Sequence, residues 1–139
     1  MDAVTQTKIL THRGALRMLE AAISQAEKMG QPQCIVIVDA SGCVVAQMRM
    51  TGSKFLSLKS AKSKALTAAS IGQASDVLPD LVRAPIAAAT QGAMTGLQGG
   101  LPIIVEGVLL GGIGVGSGSG AQDIEVAQAA LGAIGAQTV

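Results

Sequence analysis

The residues that stand out for chemistry are basic. Between Asp39 and Asp76 the sequence holds no acid, but it holds Arg49, Lys54, Lys59, Lys62 and Lys64. Like charges gathered without an acid repel unless solvent or a bound anion neutralises them. Two readings follow: a solvated basic face, or a site for a small anionic molecule such as a carboxylate. Arg49 closes an expected strand beside the loop that opens an expected helix, so Arg49 and Lys54 are expected to converge. Lys59 and Lys62, three apart, share one face of that helix, and Lys64 points elsewhere. Lys62 or Lys64 then serves as an acid–base or electrostatic group. The charge bias runs through the whole chain. Residues 1–83 hold all ten Lys and Arg with six acids, net +4, and residues 84–139 hold three acids and no base, net −3.

A second candidate is the glycine run from Gly111 to Gly120, which contains Gly114 and Gly116 and leads from a strand into a helix. Gly116, Gly118 and Ala121 fit G-x-G-x-x-A. A dinucleotide fold also needs a following parallel strand and an acid about 20 residues on. Neither is legible here, and no Lys follows the glycines as in a phosphate loop. What remains is a set of backbone N–H groups and a helix N-terminus able to hold an anion, or simply a close-packed turn.

His12 is the only histidine. It falls three after Ile9 and four before Leu16, on the apolar stripe of the expected first helix. It reads either as a core histidine or as a single metal ligand. One His and two separated Cys do not readily make a tetrahedral zinc site. No G-x-S-x-G elbow and no S-x-x-K pair is present.

These residues must be positioned by a short series of elements. Apolar spacing predicts a helix over 7–29, stopped by Gly30 and Pro32. An unbroken β-branched run predicts a strand over 34–39, covered on both faces. Asp39 to Gly42 supplies turn chemistry, and 43–50 returns as a second strand. Cys34 and Cys43 then sit too far apart for a disulfide and read as two free, mostly buried thiols. A helix over 57–71 carries a small-residue ridge of Ala61, Ala65 and Ala68. The stretch 74–98 is the least legible, with a short helix interrupted by Pro79 and, over 86–94, either a second short helix or an irregular loop. A hairpin of 101–106 and 108–115, a Gly/Ser loop over 116–120 and a helix over 123–134 complete the order. Hairpins in place of crossovers predict an α+β fold with a mainly antiparallel sheet.

The composition sets the frame. The 139 residues are 49% hydrophobic, 1% aromatic and 14% charged. One domain over 1–139 with an Ala, Val, Ile, Leu and Met core is expected. The chain is too apolar for disorder. It has no aromatic platforms for nucleic-acid stacking, and its net charge of +1 exerts no long-range pull on DNA or anionic membranes. No apolar run reaches the ~18 residues of a membrane span. Asp2 and the polar residues after it do not form a signal peptide, so a cytoplasmic protein is expected. So sparsely charged a surface predicts a homo-oligomer.

Several segments together resemble a known family. They are Ile35-Val-Ile-Val-Asp-Ala-Ser-Gly42, Arg49-Met-Thr-Gly52, Ser60-Ala-Lys-Ser-Lys-Ala-Leu-Thr-Ala-Ala69, Gly99-Gly-Leu-Pro-Ile103, and Gly111-Gly-Ile-Gly-Val-Gly116 with Gln122-Asp123. In this order they resemble the GlcG/HbpS-like haem-binding and haem-degrading family, which includes the C-terminal domain of PduO-type proteins. The resemblance implies a profilin/PAS-like sandwich with a five-stranded, mostly antiparallel sheet, and homo-oligomers. It also implies haem as a cofactor, with a first-helix histidine as the metal ligand; His12 is the candidate. Arg49, Lys54 and Lys62 would meet the haem carboxylates. Phe55, Gly114 and Gly116 complete the expected ligand site. The alternatives are a catabolic lyase or isomerase acting on a small carboxylated, even aromatic, substrate, with Lys62 or Lys64 as the catalytic group, or a structural oligomeric accessory protein.

Overall fold

The computed structural model describes residues 2–139. The first helix, α1, runs His12–Lys28. It starts five residues later than its apolar pattern suggests because the Thr11 side chain caps it, accepting from the Gly14 N–H at 3.1 Å. Ala15, Met18, Leu19, Ala22 and Ala26 form its buried stripe. Ile9 lies outside the helix and is 77% exposed. His12 therefore opens the helix on the surface and is not a core histidine.

Strand β1 (Cys34–Asp39) is central. It pairs antiparallel with β2 (Val44–Arg49) on one side and β4 (Val108–Gly116) on the other. Strand β3 (Gly100–Val105) pairs antiparallel with the far edge of β4, giving the order β2-β1-β4-β3. The sheet thus has four strands among the described residues, not the expected five. The stretch 74–98 supplies none. Its alanines favour helix, and its prolines remove sheet donors. It forms a 3-10 turn at Ser75–Val77 and then a helix, α3 (Asp80–Ala89).

Helix α2 (Ser57–Ile71) covers one face of the sheet, and α1 with α4 (Gly120–Ala133) covers the other. Ile35 and Ile37 point to the α1/α4 side, and Cys34, Val36 and Val38 point to α2. This two-sided cover is why β1 reads as a continuous apolar run. Cys34 and Cys43 are both free; Cys34 is buried, but Cys43 is exposed beside the turn and not buried as expected.

The glycine run is largely strand. Gly112 and Gly114, two apart on β4, face α2. A Cβ on Gly114 would collide with the Ala61 carbonyl oxygen, and one on Gly112 with that of Ala65. The alanine ridge of α2 seats in the groove these glycines leave. That close fit binds the loop before α2 and the loop after β4 into one corner of the molecule.

Candidate functional site

At that corner the first turns of α2 and α4 border a cleft of about 550 Å³, lined by Lys54, Lys64, Arg83, Leu97, Ser117 and Asp123 among others. Its floor is a buried ion pair. The Lys64 Nζ donates to Asp123 Oδ2 at 3.0 Å and to the Val115 carbonyl at 2.8 Å. The two side chains are only 6% and 3% exposed. An ammonium carries three N–H groups, and two are used here. Asp123 Oδ1 accepts from the Gly118 N–H at 3.1 Å. Burial pushes the Asp123 carboxyl above the ordinary aspartate range, against the opposing pull of the Lys64 charge and of hydrogen bonds from Lys64 and Gly118.

Below Gly118 lies Gln33, fully buried, with neither amide atom hydrogen-bonded among the described residues. A Cβ on Gly118 would sit 2.7 Å from Gln33 Nε2 and 3.0 Å from Asp123 Oδ1, so glycine lets the loop close over both groups.

The rim is held by the backbone. Arg83 donates from Nε to the Leu78 carbonyl at 2.8 Å and from Nη2 to the Asp76 carbonyl at 2.9 Å. Its guanidinium lies against Gly96, where a side chain would collide with it. Ser117 has a φ of 91°, a conformation a non-glycine residue rarely holds. Two contacts lock it. Its hydroxyl accepts from the Lys54 N–H at 2.9 Å, and its carbonyl accepts from Gln31 Nε2 at 3.1 Å.

Of the residues singled out from sequence, the cleft gathers Lys54 and Lys64. Gly116 lies at its back, against the Ser57 carbonyl. Lys62 is exposed on the outer face of α2. Phe55 is exposed next to Lys54. Gly114 is buried beneath α2. Arg49 does not converge with Lys54. It lines a separate cleft of about 570 Å³ with Ile23, Glu27, Met48 and Met50.

His12 is farther still. The C-terminal end of α1 leads to Gln31 and hence Ser117, whereas His12 begins the helix, about 24 Å along its axis. No single small ligand touches both His12 and Lys54 within one subunit. Around His12 are Ile9 and Leu16, both exposed, and Arg13, also exposed. Its imidazole makes no hydrogen bond among the described residues.

Sequence reasoning missed Arg83, Gln33, Ser117 and the role of Asp123. In the sequence Asp123 stood out only within the Gln122-Asp123 segment of the family resemblance. The one available signal for its partner was the charge segregation. Lys64 with Asp123, and Lys8 with Glu106, join the basic and acidic parts of the chain.

The fold defines an α+β domain with helices on both faces of one antiparallel sheet. The sequence then places the chain: residues 10–132 match the model of the HbpS-like haem-degrading proteins, and the chain belongs to that family. It is 34% identical over 127 residues to the corrinoid adenosyltransferase PduO of Citrobacter freundii. That match takes in 88% of this chain but only 38% of the longer relative. A PduOC:heme complex superposes with a TM-score of 0.87 at 30% identity, covering 94% of this chain and 99% of that one. HbpS superposes with a TM-score of 0.82 at 30% identity, covering 94% and 93%.

Proposed function

We propose that this protein binds haem and that the His12 imidazole is the iron ligand. The observation that carries this is the setting of His12: an exposed imidazole with no hydrogen bond, flanked by exposed Ile9 and Leu16. The donor set fits the group. Imidazole nitrogen is a common axial ligand, apolar side chains cover porphyrin, and Arg13 and Arg17 stand one turn apart for its carboxylates. Membership of the HbpS-like family and the haem complex of a relative support the same reading. Bound haem supplies an iron centre for electron transfer or for binding a further ligand. The chain holds the imidazole at the rigid start of α1, where the Thr11 cap fixes the first turn. Arg49, Lys54 and Lys62 stand too far from His12 to serve this haem within one subunit.

Hemin titrated into the purified protein is expected to give a shifted, saturable Soret band. His12→Ala should weaken binding by at least about tenfold. A spectrum identical to free hemin overturns the reading.

We further infer that the chain associates with copies of itself. Helix α3 has no buried residue, and Leu81 on it is 91% exposed. Phe55, Leu56 and Leu97 add exposed apolar surface. Apolar surface of this kind is normally covered in an assembly.

A further inference from the structure

We propose that the cleft between the first turns of α2 and α4 is a second ligand site, for a small organic acid. Lys54 and Arg83 meet its carboxylate at the rim, and the spare N–H of Lys64 meets an oxygen at the floor. The site is separate from the haem reading, since His12 lies at the opposite end of α1.

Three observations carry it. The first is charge. The cleft is lined by Lys54, Lys64 and Arg83 against one acid, Asp123. The exposed Asp80 lies 3.6 Å from Arg83 Nε, but a surface pair of this length neutralises little. The second is unspent donors. Arg83 uses two of its five N–H groups on the Leu78 and Asp76 carbonyls. Three are left in a planar fork already fixed in place, the geometry that grips a carboxylate. Lys64 has one donor left on a charge that is almost fully buried, and burying a charge with a donor unmet is costly. The third is construction. Three features build the rim and floor: Ser117 holds its strained φ through two hydrogen bonds, Gly96 admits the Arg83 guanidinium, and Gly118 admits Gln33 and Asp123 beneath the loop.

The same geometry selects the ligand class. The volume suits a small molecule. Asp123 on the floor repels an anion that carries two charges on one head. A carboxylate at the rim, with a neutral or hydrogen-bonding body below, satisfies every group. Inorganic phosphate would press its second charge toward Asp123.

The test is a heteronuclear NMR titration of the whole chain with acetate, lactate and inorganic phosphate. Acetate or lactate is expected to shift the amides of Gly96, Ser117 and Gly118 saturably. Arg83→Gln should weaken that binding about tenfold, the loss expected for one charge-assisted hydrogen bond. Lys54→Gln, whose side chain is exposed and unbonded, should do the same. It keeps the test decisive if Arg83→Gln disturbs the segment around α3. Lys62→Gln and His12→Ala should bind as the parent does, and Arg83→Gln should leave the hemin titration unchanged. The proposal is overturned if no carboxylate saturates by about 10 mM, well above ordinary weak binding. It is equally overturned if phosphate binds more tightly than either carboxylate, or if both rim variants bind like the parent.

Discussion

Lys62 and Lys64 are two residues apart on one helix and differ completely. Lys62 is solvated, whereas Lys64 is buried against Asp123. Lys64→Met leaves Asp123 buried without its partner and is expected to cost about 3–5 kcal/mol in urea denaturation. Lys62→Met is expected to stay within about 0.5 kcal/mol. Helical spacing alone shows that the two lysines face different ways. It does not show the partner, because the pair closes across 59 positions of sequence. Asp39 behaves differently. Hydrogen bonds from the Ser41 hydroxyl and from the Cys43 and Ser41 amides hold its carboxyl below the ordinary aspartate range. A lowered native value means that its contribution is present above the unfolded value and is lost as pH falls through the folded one. Asp39→Ala should therefore lower the urea midpoint at neutral pH, with the gap from the parent narrowing in acid. A constant gap at all pH values would assign the effect to the turn backbone alone. The Asp39 turn was fully legible, because Asp-x-x-Gly chemistry is local.

Among the elements, α2 on β4 is the contact that shapes the site. Ala61 and Ala65 approach so closely that the facing strand positions admit only glycine. Gly114→Ala is expected to cost about 3 kcal/mol or more, since the added methyl meets backbone that cannot move aside. Gly132→Ala in α4, where a methyl meets nothing within 4 Å, should be neutral or stabilising by up to about 1 kcal/mol. Chemical denaturation of the two variants checks both signs. The alanine ridge and the glycine run were each visible in the sequence, but their mutual fit was not, because it joins residues about 50 positions apart. Strands β1 and β2 and helix α2 were legible from the β-branched run, the turn chemistry between the strands and the small-residue ridge. The segment 74–98 was not. Pro79 precedes its helix α3 and Pro85 lies inside it, which breaks the helical signal, and the cleft residue Arg83 was hidden with it. The later start of α1 moved His12 from an expected apolar stripe to the surface.

At the scale of the whole molecule, the aliphatic, charge-poor composition has two consequences. Inside, small residues allow close helix–sheet packing without aromatics. Outside, apolar side chains remain on α3 and on the segment from Phe55 to Leu56. Light scattering is expected to show an oligomer, and Leu81→Glu is expected to shift it toward smaller species. A monomer at all concentrations would contradict that reading. Two chemical settings lie toward opposite ends of α1. One is the histidine at the start of α1, and the other is the basic cleft at its far end. Neither proposed site requires the other, so loss of one is expected to leave the other intact.

Because His12 is the only histidine, haem ligation can be tested atom by atom. Protein grown with heavy-nitrogen histidine is loaded with hemin and examined by pulsed electron paramagnetic resonance. Coupling of the iron to a heavy nitrogen is the expected result. A spectrum showing porphyrin nitrogens alone contradicts iron ligation by His12.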